Sequence, residues 1–301
     1  MLIKNNYFLI VPIAATLILS SCGGDKTEES DDVANADTAK VAVVDNQITE
    51  TFFQVPSPGE MLTFIKMVGG VGNKNVSFLN NPDNLKNYSD NKAKALNFGI
   101  YSCDLSYCSI FEIGSEALKY FKVVKQLGDQ IGVSTAIKPE VMKRLESNLG
   151  NPDSLSVITD DVYFSSFETL EASKQGPTLA LVVAGGWIES LYIATNLAKY
   201  KENSPIVERL ADQKYTLDNL NEFLKKYESD ASVASVLVQF TELKDEFNKI
   251  NEKELANTAA SKDKKVKVLG GETKQLVLSA EQYKSIVEKI KSIRNSFTLT
   301  K

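Results

Sequence analysis

Residues Pro177–Tyr200 read PTLALVVAGGWIESLYIATNLAKY, a long run of apolar and small residues around which the chain is built. Proline suits a first helical turn, and no further proline follows until Pro205. Apolar or small residues occupy almost every face, which marks a helix buried on all sides. The pair Gly185-Gly186 lowers helix propensity, so close approach of a neighbouring helix is the compensation to expect. Glu189 is the one charge in the middle. The stretch is also about the 20 residues needed to cross a bilayer. A mid-span glutamate would cost ~2.5 kcal/mol or more, and Asn196 would add to that. The expectation is therefore a core helix.

Working outward, the chain is punctuated as helices. Capping residues followed by proline recur at Ser57-Pro58, Asn81-Pro82, Asn151-Pro152 and Ser204-Pro205. Ser57 with Glu60, and Ser279 with Gln282, have capping-box spacing. The pattern predicts helices over 58–69, 82–98, 99–113, 115–131, 139–149, 152–173, 177–200, 205–212, 217–228, 231–256 and 280–296. Val233, Val236, Phe240, Leu243, Phe247 and Ile250 form one apolar seam, and Tyr283, Ile286, Ile290, Ile293 and Phe297 form another. Short linkers favour antiparallel neighbours. The expected fold class is all-α, a single domain of antiparallel helices. One short β-hairpin is allowed near 266–278, where Val266, Val268, Leu276 and Leu278 alternate around Gly270-Gly271.

The N-terminus reads as an address. Lys4 gives a positive start, Tyr7 to Leu19 is apolar, and Leu19-Ser20-Ser21-Cys22 closes the segment. This resembles a bacterial lipoprotein signal ending in a lipobox. The resemblance implies cleavage before Cys22, acylation of its thiol, and a stable hold on the lipid bilayer. Gly23 stands where an aspartate would signal inner-membrane retention, which points to the outer membrane, on its periplasmic face or at the cell surface. Residues 25–50 carry eight acids and two bases. With Lys4 also set aside the remaining charges balance, so residues 51–301 are neutral overall. The boundaries expected are a signal peptide over 1–21, an acidic disordered tether over 22–50 and a helical domain over 51–301. A neutral body without a basic stripe argues against nucleic acid.

Composition also limits the chemistry. The chain has no histidine. That excludes Ser-His-Asp and Cys-His catalysis, His-Glu-x-x-His metal sites and the Glu-x-x-His of di-iron bundles. No phosphate loop occurs, and no cofactor or resident metal is expected. Cys103 and Cys108 read as small buried hydrophobes, five apart on one helix and unable to bridge. The remaining candidates for binding are polar groups set in apolar helices. They are Tyr101, Asp104 and Tyr107 on one helix, and Glu189 and Tyr192 on the other. Glu112 and Glu116, on either side of Gly114, could join a carboxylate cluster for a hard cation. The plainer expectation is that buried acids accept hydrogen bonds from tyrosines or backbone N–H groups and fix the packing.

Three motifs together carry a family likeness. Pro56-Ser57-Pro58-Gly59-Glu60, Ala95-Leu96-Asn97-Phe98-Gly99-Ile100-Tyr101 with Asp104-Leu105-Ser106-Tyr107, and Gly185-Gly186-Trp187-Ile188-Glu189-Ser190-Leu191-Tyr192-Ile193-Ala194 resemble an uncharacterised family of helical lipoproteins of Bacteroidetes. The likeness runs from about residue 55 to the C-terminus, and it implies fold and location only. The function expected is an envelope-anchored binding or scaffolding protein with an envelope protein partner. Two alternatives stand beside it. One is a carboxylate- or tyrosine-based hydrolase with a pocket near Asp104 and Glu189. The other is a purely structural envelope component.

Overall fold

The structure is a computed structural model that describes residues 57–69, 74–254 and 274–299. Cys22, the acidic tether, Gly270-Gly271 and the first arm of the expected hairpin lie outside the described residues. The fold class is all-α. In chain order the elements are α1 (Pro58–Met67), a 3-10 turn (Pro82–Asn87), α2 (Asn91–Ile110), α3 (Gly114–Ile131), α4 (Pro139–Ser147) and α5 (Pro152–Ala172). They continue with α6 (Gly176–Leu197), α7 (Pro205–Lys225), α8 (Ala231–Asn248), β1 (Asn251–Glu254), β2 (Lys274–Val277) and α9 (Ala280–Thr298).

Two helices form the axis of the core. Every residue of α2 from Ala95 to Ile110 is buried, and α6 is buried from Thr178 to Leu191. The most apolar stretch of α6 is long enough to cross a membrane, yet 89% of it is buried inside the protein. The two helices pack directly on each other, and the glycines explain how closely. A Cβ at Gly99 would lie 2.0 Å from the Val182 carbonyl oxygen, and one at Gly185 would lie 2.0 Å from that of Leu96. Backbone therefore meets backbone at this crossing, which only glycine permits. Around the axis, α1, α3 and α5 pack on α2, while α7, α8 and α9 pack on or beside α6.

The caps act locally as their chemistry requires. Ser57, Asn81, Asn151 and Ser204 each accept a backbone N–H at a helix start, and Ser279 with Gln282 closes a full capping box. Both seams are core. Val233, Val236, Phe240, Leu243 and Phe247 of α8 have no exposed surface, and Ile286, Ile290, Ile293 and Phe297 of α9 face them and α6.

Four boundaries differ from expectation. The predicted helices 205–212 and 217–228 are one helix, α7. The chain between them buries Gln213 and Thr216, and Gln213 accepts a hydrogen bond from the Trp187 indole at 3.1 Å, so tertiary contact carries the helix through. Residues 82–98 and 99–113 do not form two helices. The 3-10 turn ends near Asn87, and Asp90 caps one continuous α2. The predicted helix 231–256 stops at Asn248. Residues 251–254 instead pair antiparallel with 274–277, Asn251 opposite Val277 and Glu254 opposite Lys274. The short hairpin exists, with its first arm at 251–254 and only its second arm in the stretch expected.

Candidate functional site: a buried polar centre

The axis helices bring Asp104 and Glu189 together, and α9 delivers Arg294 to them. Both carboxyls have no exposed surface, and Arg294 has 7%. Arg294 donates from Nε to Glu189 Oε2 at 2.9 Å and from Nη2 to Oε1 at 3.2 Å, a two-pronged bond between planar partners. Its guanidinium also lies over the Tyr192 ring, 4.6 Å from the centroid. Burial alone would lower the Arg294 pKa, but Glu189, and after it Asp104 and Tyr192, together outweigh burial and hold the guanidinium above its ordinary value. Asp104 Oδ2 accepts the backbone N–H of Asn80 at 3.2 Å. Burial, and after it the Glu189 carboxyl, push Asp104 well above the usual carboxylate range, against the opposing pull of Arg294.

A shell of amides and phenols surrounds this pair and binds three segments to one another. The Asn80 amide donates to the Tyr88 hydroxyl at 2.9 Å and to Asn97 Oδ1 at 3.1 Å. Asn97 in turn donates to the Phe297 carbonyl at 2.9 Å, and the Tyr88 hydroxyl donates to that of Thr298 at 3.3 Å. Those carbonyls lie in the last turn of α9, where the helix has no acceptors' partners of its own. The segment before α2, α2 itself and the end of α9 are thus closed by hydrogen bonds away from water.

The tyrosines do not serve the acids in the way expected. Tyr101 donates its hydroxyl to the Asn81 carbonyl at 2.7 Å, and Tyr107 donates to that of Asn75 at 3.1 Å. Both pin the 75–81 segment against α2. Tyr192 contributes its ring to Arg294. Asp104 does receive the expected backbone N–H, whereas the donor for Glu189 is an arginine that the sequence reading passed over. The signal was present: Arg294 lies four residues after Ile290 and three before Phe297, on the buried stripe of α9. Asn97 had a similar signal, as an amide between Leu96 and Phe98 in the long buried run of α2.

The other candidates do not converge here. Glu112, at positive φ in the α2–α3 turn, pairs with Lys66 at 3.2 Å, and Lys66 also donates to the Ile110 carbonyl at the end of α2. Glu116 pairs with Lys119 one turn along α3. Among the described residues no group of three His, Cys, Asp or Glu side chains is placed to hold a metal ion. Cys103 and Cys108 are free and buried, and burial pushes both thiols well above their ordinary value, which leaves them unreactive.

Compared with protein-family models, with curated proteins and with solved structures, the chain matches none. The functional reading therefore rests on the sequence and on this geometry.

The grooves of the surface lie elsewhere. One runs between the start of α2 and the end of α9, lined by Asp90, Lys92, Leu96, Gln239, Ser296 and Phe297. Another, apolar, lies on the outer side of α8 over Ala234, Leu237, Val238 and Thr241, with Glu228 and Glu242 at its ends. Neither is lined by Asp104, Glu189 or Arg294.

Proposed function

We propose that this chain is an envelope-anchored lipoprotein acting as a binding or scaffolding protein, attached to the outer membrane through acylated Cys22. The observation that carries this reading is the complete enclosure of Asp104 and Glu189. A hydrolase needs its carboxylates within reach of substrate, and these are engaged by protein groups and sealed from solvent. A partner would be recognised by the outer surface. The apolar groove on α8, with Val238 60% exposed, supports binding over a purely structural role. The lipobox at Cys22 and the acidic stretch after it support attachment, and the likeness to helical lipoproteins of Bacteroidetes agrees with that location.

Two measurements test the reading. Cys22→Ala should abolish labelling by radioactive palmitate and release the protein from the membrane pellet after a salt wash. A labelled or still pelleted variant overturns the anchoring. Detergent extracts carrying tagged wild type should yield a co-purifying envelope protein that Val238→Asp loses without a change in melting temperature. Absence of any co-purifying protein, or its retention by Val238→Asp, overturns binding at this surface.

A further inference from the structure

The polar centre encloses one cation and two carboxyls. The Arg294 guanidinium is committed to Glu189 by two hydrogen bonds. Asp104 receives one backbone donor at Oδ2, while among the described residues no donor is aimed at its Oδ1. The Asp104 and Glu189 side chains are themselves within hydrogen-bonding reach of each other. If both were ionised, an unpaired negative charge and an unsatisfied acceptor would sit in a dry core, which is strongly unfavourable. One proton on the pair removes both problems. It balances the charge of Arg294 and makes a hydrogen bond between a carboxyl and a carboxylate, as in acid pairs that share a site.

We infer that the folded domain holds one proton on the Asp104–Glu189 pair, and that this proton keeps α9 seated on α2 and α6. The link to α9 is direct. Arg294 reaches the pair from α9, and Asn80, whose N–H bonds Asp104, also orders Tyr88 and Asn97, which hold the Phe297 and Thr298 carbonyls. Loss of the proton sets Asp104 against Glu189 and in competition for one guanidinium, so the last helix loosens.

The neighbouring groups leave Asp104 as the enclosed carboxyl without a cation of its own. On α2, Tyr101, Cys103 and Cys108 are held above their ordinary values by burial, as are Tyr88 before it and Tyr120 on α3. Tyr163 of α5 is raised by burial too, and Tyr192 of α6 lies under Arg294. Of the acids of α1 and α8 nearest these helices, Glu60 and Glu242 are exposed and Glu246 is half-buried; Glu242 pairs with Lys289 and Glu246 with Lys249. Asp160 is the other carboxyl pushed upward by burial, to about 6. The sign follows from the direction of the Asp104 shift. The folded state holds a proton that an unfolded aspartate releases near pH ~3.9, so stability is highest in acid and declines as pH rises toward the folded value.

The test uses the full-length protein in detergent, as wild type and Asp104→Asn. Asparagine can accept from the Asn80 N–H and donate to Glu189, so it reproduces the protonated aspartate without a proton to lose. Urea unfolding from about pH 6.5 to about pH 7.5 lies above most of the Asp160 transition and below the ~8.5 at which the thiols of Cys103 and Cys108 ionise in the unfolded chain. The wild-type folding constant should fall by up to about tenfold per pH unit over the linked range, and that of Asp104→Asn should not. Hydrogen-exchange protection of α9, relative to α5, should fall with pH in wild type alone. The infrared difference between wild type and Asp104→Asn at about pH 7.5 should contain a protonated-carboxyl band, with the ester carbonyls of the acyl chains cancelling. Equal pH slopes in the two proteins, or a difference spectrum without that band, would overturn the inference.

Discussion

At the scale of single residues, three buried ionisable groups should respond unequally to substitution. Glu189→Gln removes the partner of a buried guanidinium and should cost about 3–5 kcal/mol in urea unfolding at neutral pH. Asp104→Asn keeps the hydrogen bonds and should change stability by about 1 kcal/mol or less. Equal losses in the two variants would show that Asp104 is ionised and paired in the same way as Glu189. Asp160, beside the start of α1, gives a separate effect. Its carboxyl is pushed up to about 6, mainly by burial and then by Glu60. Its ionisation therefore opposes folding as pH rises from the unfolded aspartate value toward 6, and Asp160→Asn should flatten the stability curve in that interval. A curve with the same slope in the variant would refute this. Asp104 and Glu189 were legible as buried acids because each is the lone charge in a long run of small, apolar and uncharged residues. Their partners were not, because hydrogen-bond partners are set by tertiary geometry. Arg294 is 105 residues from Glu189 in the chain, and the Asn80 N–H is 24 from Asp104.

At the scale of elements, the crossing of α2 and α6 makes a graded prediction. Alanine is a better helix former than glycine by about 1 kcal/mol, so propensity alone would make Gly99→Ala and Gly185→Ala stabilising. The added Cβ would instead fall 2.0 Å from a backbone oxygen in each case, and backbone in a packed core cannot yield cheaply. Both substitutions should destabilise by about 3 kcal/mol or more. Gly186→Ala meets the Pro58 ring at 3.2 Å as its nearest neighbour and should be much milder. A thermal-melt series in which Gly186→Ala is the worst of the three would contradict this crossing. The Gly185-Gly186 pair announced a close approach in the sequence, and the capped starts announced most helix beginnings. Helix ends were harder to read. Between 212 and 217 no local signal tells that the helix continues, since the Trp187–Gln213 bond that holds it comes from α6. The pairing of 251–254 with 274–277 is equally non-local, and its first arm, Asn-Glu-Lys-Glu, has none of the β-branched character of a strand.

At the scale of the whole domain, the polar centre is the fastening that joins the last helix to the first core helix. The apolar seams of α8 and α9 supply area, but they would tolerate a slip of one turn along the helix. A two-pronged ion pair, one amide-to-carbonyl bond from Asn97 and one hydroxyl-to-carbonyl bond from Tyr88 permit one register, which is how buried polar groups confer specificity. The central claim is that Glu189 and Arg294 act as one structural unit. A double-mutant cycle with Glu189→Met, Arg294→Met and both together, followed by urea unfolding, tests it most directly. Each single change should cost about 3–5 kcal/mol, because it leaves a buried charge without its partner. The double variant, with Asp104 neutral at the centre, should recover about 2 kcal/mol or more of the summed loss. Additive losses, or single variants within about 0.5 kcal/mol of wild type, would contradict the account.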